Sequence, residues 1–251
     1  MGAASPAVAV IGGTGLNQWL GESLRQHSET TPYGKPSAAI DLVHVGECTV
    51  AFLPRHGSPH RIPPHCINYR ANMWALKELG IGEVIAVNAV GGIRANMVEG
   101  VLTVPDQIVD YTYGREHTYA DGCAGASLEH VDFSYPFDSG LRQRLLVAGC
   151  DKGIPVIDGA VYGATQGPRL ETVAEINRME RDGCDIVGMT GMPEAALARE
   201  LGLAYASLCL VVNPAAGRTD TEITLSAMQQ VIEAGMVQVR EIVSAAINSQ
   251  R

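Results

Sequence analysis

Two apolar rhythms alternate along this chain. Short continuous runs of Val, Ile, Leu and Ala occur at 7–11, 49–53, 84–90, 101–109, 156–162, 185–189 and 205–212. Several lack in–out alternation, which predicts strands covered on both faces. Between some of them, at 67–79, 141–148, 172–181 and 194–201, apolar residues return every three or four positions and predict helices. Pro193 suits the opening position of the last of these, where proline's missing N–H costs nothing. Toward the C-terminus apolar residues fall at 225, 228, 231, 232, 236, 239, 242, 243 and 247, one stripe of a long amphipathic helix. Strands alternating with helices predict a three-layer α/β domain. No repeat, low-complexity tract or linker divides residues 1–251, so a single domain is expected. The segment 114–134 breaks the rhythm: it is polar, Gly-rich and aperiodic. A loop that long in a compact domain is usually functional or interfacial.

Composition narrows the class. Hydrophobic residues make up 46% of the 251, yet aromatics only 5%, so the core is expected to be aliphatic. Net charge is −9 and no Lys/Arg run occurs, which argues against a nucleic-acid backbone as partner. A small anion needs only one or two arginines and stays possible. The start, MGAASPAVAVIGGTG, has no basic region and too short an apolar run for a signal peptide or membrane span. Cysteines 48, 66, 123, 150, 184 and 209 are far apart with no C-x-x-C. That spacing predicts reduced thiols in a cytoplasmic protein, with neither a disulfide framework nor a zinc site.

Chemistry-bearing residues gather where predicted strands end. GGTG (12–15) follows the first strand, and its glycines let backbone N–H groups approach an anion beside the Thr14 hydroxyl. It fits neither a dinucleotide fingerprint nor a P-loop, and it also reads as a plain tight turn. LPRHGSPHRIPPH (53–65) crowds Arg55 and His56 into a Pro/Gly-rich loop, either a solvated basic loop or an anion site with Arg55 forking onto a phosphate. VNAVGGI (87–93), MTGMPE (189–194) and LVVNPAAG (210–217) each carry a strand into polar or small residues: Asn88, Ala89, Thr190 and Asn213. Strand ends are where open α/β sheets hold ligands. In TQGPRLETVAE (165–175), Thr172 and Glu175 are spaced as a capping box, which leaves Glu171 without a structural task except the helix dipole. Together these groups suggest one concave site for an oxyanion and a polar planar ligand.

The sequence resembles the trimeric purine nucleoside phosphorylase and methylthioadenosine phosphorylase family over nearly its whole length. The resemblance is carried by IGGTGL (11–16), TPYGKPS (31–37), RHG (55–57), NYRANMWALKELG (68–80), NAVGG (88–92), QGPRLETVAE (166–175) and MTGMPEAALARELG (189–202). It implies a nucleoside phosphorylase fold with a mixed central sheet between helices. It implies cleavage of a purine N-glycosidic bond by inorganic phosphate, with no metal or organic cofactor. By the same resemblance, Thr14, Arg55, His56, Ala89 (through its N–H) and Thr190 would hold phosphate. Met189 would underlie the ribose, and Glu171 and Asn213 would face the base. His130 would reach a neighbouring subunit's site in a homotrimer. In the adenine-specific branch a carboxylate stands at the position of Asn213, and no glutamate at that of Glu171. Here the base pocket is similar to the inosine/guanosine branch while the rest leans to the methylthioadenosine branch. A hybrid of that kind is similar to bacterial 5′-methylthioinosine phosphorylases. Leu225 and Met228, three residues apart, would then receive the 5′-methylthio group. A general inosine/guanosine phosphorylase and a methylthioadenosine phosphorylase are the alternatives.

Overall fold

The computed structural model describes residues 7–13, 16, 23–28, 30–120, 122 and 128–249. Among the described residues, eleven strands and five α-helices follow in the order β1 (Val8–Gly12), β2 (Arg25–His27), β3 (Ile40–Val45), β4 (Cys48–Pro54), α1 (Tyr69–Glu78), β5 (Glu83–Gly92), β6 (Leu102–Val104), β7 (Gln107–Asp110), α2 (Ser139–Asp151), β8 (Val156–Asp158), β9 (Val161–Ala164), α3 (Val173–Arg181), β10 (Ile186–Gly188), α4 (Gly191–Glu200), β11 (Ala204–Pro214) and α5 (Leu225–Asn248). The expected helices and most expected strands are present within a few residues. Two expected strands are each broken in two. The run 101–109 divides at Pro105, which has no N–H for a ladder, into β6 and β7. The run 156–162 divides at Gly159, whose φ of 84° suits glycine, into β8 and β9. The edge strand β2 and its neighbour β3, which pairs with β2 on one side and β4 on the other, went unforeseen. β2 is three polar residues, and Asp41 and His44 interrupt the apolar positions of β3.

The sheet is mixed, as the resemblance implied, and β5 is its hub. β11 runs parallel to β5 along one edge from Ala204↔Glu83 to Pro214↔Gly92. The other edge is shared. β1 pairs in parallel with β5 only as far as Ile11↔Ala86, and β10 joins antiparallel at Val187↔Gly91. Residues 87–90 therefore face a gap on that edge. β1, β4, β5 and β11 are mutually parallel, so their C-terminal ends open on one side of the sheet, beside that gap.

Two aliphatic cores cover the sheet. On one face Tyr69, Met73 and Leu76 of α1 and Ala195, Leu197 and Ala198 of α4 pack on the strands. On the other, Leu141, Leu145 and Ala148 of α2 meet the α5 stripe Ile232, Met236, Val239, Ile242, Val243 and Ile247. Burial of such side chains contributes roughly 1.5–3 kcal/mol each. This is the expected three-layer arrangement. No helix among the described residues is long and apolar enough to cross a membrane.

Candidate active site

A cavity of about 450 Å³ opens at those strand ends. Arg55, His56, Ala89, Glu171, Met189, Thr190, Asn213, Leu225 and Met228 all line it, although in sequence they run from position 55 to position 228. Thr14 lies outside the described residues; its neighbour Gly13 is on the cavity wall. His130 is exposed and does not line this cavity within its own chain.

At one end the groups are buried and tightly partnered. Arg55, 1% exposed, follows β4 and points beneath the gap in β5. Its Nε donates to Glu194 Oε2 at 2.7 Å and its Nη2 to Glu194 Oε1 at 2.8 Å. Tyr205 donates to the same Oε1 at 2.9 Å. The fork expected to grip phosphate is thus closed on a carboxylate. The reason is burial: Glu194 is fully buried, and a cation and an anion at that depth each need the other. Burial opposes the Arg55 charge, and Glu194 more than offsets it, so the guanidinium is held firmly protonated. Nη1 donates to Val87 O at 3.1 Å, and among the described residues its second N–H has no acceptor. Because Val87 O points away from β11, strand alternation aims the Ala89 N–H into the same gap.

His56 sits above Arg55. Its Nδ1 lies 2.8 Å from Ile62 O, an acceptor only, so Nδ1 carries the proton and Nε2 presents a lone pair. The ring stacks on His60 at 4.3 Å. Burial pulls the imidazole down to about 4; the Ile62 bond opposes this in part, and the Arg55 charge adds to it. His56 is therefore neutral at neutral pH.

Thr190 caps α4 without a side-chain cap bond, and Met192 leaves helical geometry (φ −117°, ψ 141°), so the regular helix starts at Pro193 as expected. The Thr190 hydroxyl donates to Asn88 Oδ1 at 3.0 Å, and Asn88 Nδ2 donates to Ser207 Oγ at 2.7 Å. This buried chain fixes the hydroxyl against β5 and β11.

The opposite end is carried by a loop and a bulge. Glu171 lies between β9 and α3. The expected capping box of α3 is present, with Thr172 Oγ1 accepting from Glu175 N and Glu175 accepting from Thr172 N. Glu171 is free of it, and the Thr165 hydroxyl donates to its Oε1 at 2.6 Å. Asn213 follows an irregularity in which Val211 pairs with Val90 but Asn213 with Gly91. Such a bulge re-aims a side chain. Its Nδ2 donates to Pro214 O at 2.7 Å, which leaves one N–H and Oδ1 for a ligand. Between the two ends, Met189 forms part of the wall, with Leu225, Met228, Ile232 and Met236 of the α5 approach beyond it.

Three site-supporting residues escaped sequence reading. Glu194 stands at the start of the predicted helix 194–201, and Thr165 opens the segment TQGPRLETVAE beyond the predicted strand 156–162. Arg115 sat inside the aperiodic segment, yet it is buried and ties two walls together. Its guanidinium donates to Thr165 O and Gln166 O on one wall and to Met189 O and Met192 O on the other, all within 3.1 Å. No local pattern signals such a long-range partner.

Residues 7–248 match the Phosphorylase superfamily. The chain is 54% identical to a probable S-methyl-5′-thioinosine phosphorylase of Pseudomonas syringae pv. tomato, covering 96% of this chain and 98% of that one. It is 40% identical to a 6-oxopurine nucleoside phosphorylase of Pyrococcus furiosus, covering 96% and 92%. An adenosine/methylthioadenosine phosphorylase variant of Schistosoma mansoni, solved with methylthioadenosine, superposes with a TM-score of 0.91 at 35% identity, covering 97% and 91%. Fold, site position and these relatives agree: the chain is an enzyme of the nucleoside phosphorylases and belongs to the phosphorylase superfamily.

Proposed function

We propose that the protein cleaves a 6-oxopurine nucleoside with inorganic phosphate, and that S-methyl-5′-thioinosine is its preferred substrate. The products are hypoxanthine and 5-methylthioribose 1-phosphate, as in purine salvage. The observation that carries the reading is the pairing of Glu171 and Asn213 on one wall of a cavity whose other end holds Arg55, His56, Ala89 and Thr190. A 6-oxopurine offers an N1–H donor and acceptors at O6 and N7. Glu171 accepts from N1–H. Asn213 donates to O6, and its Oδ1 accepts from N7 once that is protonated. An adenine N1 would set a lone pair against the carboxylate, a mismatch that discriminates strongly.

The reaction follows from charge. The C1′–N9 bond breaks with its electron pair moving to the base, and a phosphate oxygen closes on C1′. The Asn213 N–H on O6 stabilises the growing charge, and N7 takes a proton from solvent and donates it to Asn213 Oδ1, so the base leaves as neutral hypoxanthine; preorganised groups of this kind usually dominate catalysis. Phosphate is held by the Ala89 N–H and the remaining Arg55 N–H, while a protonated phosphate oxygen donates to the neutral Nε2 of His56. Phosphate is itself the nucleophile, so the step needs no metal or organic cofactor. Met189 underlies the ribose, and Leu225 and Met228 take the methylthio group.

Leu225 is 81% exposed, so one chain alone does not seal the 5′ end. That favours two companion readings. A general inosine/guanosine phosphorylase would leave this end open. Alternatively a neighbouring subunit closes it, which we propose as a cytoplasmic homotrimer with His130 reaching across. The exposed Tyr113, Leu128 and Tyr135 around that segment support an interface there. Steady-state comparison of inosine, adenosine and their 5′-methylthio analogues, with and without phosphate, tests the reading. At least tenfold higher kcat/KM on 5′-methylthioinosine than on inosine is expected, with no turnover without phosphate. Equal efficiencies would favour the general phosphorylase.

A further inference from the structure

We infer that Thr165 is the positioning residue that sets base specificity, acting through Glu171. The inference rests on the base-pocket reading above and extends it by one residue that does not itself line the cavity.

Thr165 follows the last residue of β9, 8% exposed. Its backbone is tied at both ends: its N–H donates to Gly188 O at 2.8 Å, and its C=O accepts from Arg115 Nη2 at 3.1 Å. The side chain therefore has little freedom. A hydroxyl has one proton to give, and two acceptors are in range, Glu171 Oε1 at 2.6 Å and Gly188 O at 3.3 Å. Gly188 O already accepts the Thr165 N–H, so the proton goes to Glu171. A hydroxyl buried without a partner is costly, and Val at the same place would avoid that cost.

The bond comes from behind. Thr165 and Glu171 share the wall of a second recess of about 370 Å³, and of the residues lining that recess Glu171 is the one that also lines the main cavity. With Oε1 held there, Oε2 is left to face the base, and among the described residues no donor reaches it. Glu171 sits on a loop, so without this bond its carboxylate would rotate. A carboxylate turned away from N1 would meet neither a donor nor a lone pair there, so the base would be held through Asn213 without N1 being read. Thr165 touches no substrate atom; it fixes which oxygen does.

The test compares wild type, Thr165→Val, Thr165→Ser, Glu171→Gln and the Thr165→Val/Glu171→Gln double variant. The readout is kcat/KM for 5′-methylthioinosine and 5′-methylthioadenosine, with the phosphate KM as internal control. Thr165→Val should shrink the preference for the 6-oxopurine at least tenfold, on the order of 1.4 kcal/mol. The phosphate KM should stay within twofold. Thr165→Ser, which keeps the hydroxyl, should restore the preference to within threefold of wild type. In the double variant Thr165→Val should add nothing to the loss caused by Glu171→Gln, because coupled residues are non-additive. A merely structural role would lower both substrates equally and add to the Glu171 effect. Should Thr165→Val fail to fold, Thr165→Ala against Thr165→Ser gives the same contrast. A selective wild type whose preference survives loss of the hydroxyl overturns the role of Thr165 alone. A wild type with no preference overturns the base-pocket reading first.

Discussion

The two ends of the cavity are built in opposite ways. At the phosphate end every side chain has its partner before any ligand arrives: Arg55 on Glu194, Thr190 on Asn88, His56 on Ile62. These groups hang from β4, β5 and α4, which the two cores clamp. At the base end Glu171 stands on a loop with one hydroxyl behind it, and Asn213 on a bulge. On the proposed reading, the half of the site that would take phosphate is part of the framework, and the half that would choose among bases can be altered without disturbing the sheet. Substitutions at the two ends should therefore fail differently, in stability at one and in selectivity at the other.

The largest effect is expected from splitting the Arg55–Glu194 pair. Glu194→Ala leaves a buried cation alone and should lower stability by about 3–5 kcal/mol in denaturant unfolding. Arg55→Ala should do the same from the other side and raise the phosphate KM at least tenfold. Loss of phosphate affinity at full stability would show that the pair is not a structural element.

His56 gives the next largest effect, and its sign is fixed. Its folded value of about 4 lies below the ordinary 6.5, so only the unfolded chain takes up this proton between those pH values. Its contribution to stability is present above about 6.5 and is lost as pH falls toward 4. His56→Gln should flatten the acid side of the stability curve in that window. An unchanged curve would mean the ring is solvated.

At the base end, Asn213→Asp should shift preference toward adenine nucleosides by roughly 1–3 kcal/mol in kcat/KM, because Asp accepts from a 6-amino group. Its melting temperature should stay near wild type, which is the contrast with Glu194→Ala. A large stability loss here would erase the distinction between the ends. The smallest effect belongs to Met228→His, which should narrow the gap between 5′-methylthioinosine and inosine by about tenfold, or roughly 1.4 kcal/mol. A gap that does not move would take Met228 out of the 5′ pocket.

How much of this was legible in the sequence depended on distance along the chain. β5, β11 and α5 declare themselves through runs and stripes, and the cavity residues cluster at strand ends for the topological reason that parallel strands finish together. The breaks at Pro105 and Gly159 were visible as residue types, but the apolar runs across them outweighed that signal. Glu194 is 139 positions from Arg55, and nothing local says that a guanidinium will be met by that carboxylate. The expected phosphate fork failed at that point: the residue was found, but its partner is set by the packing of α4 on the sheet. The Thr165–Glu171 bond spans only six positions, yet it depends on the turn at Gly167, with φ of 59°, folding the loop back.

The gap in the edge of β5 has a consequence for solvent exchange. Amides in the centre of a sheet normally swap hydrogen for deuterium only when the sheet opens. Ala89 is mid-strand in β5, which pairs with β1, β10 and β11, yet its N–H faces the gap at the cavity instead of a neighbouring carbonyl. It should label quickly in the free protein, beside neighbours that label only as the sheet opens. An anion seated over the gap should make it one of the slow ones, so a single peptide covering β5 would report occupancy of the cavity without any turnover.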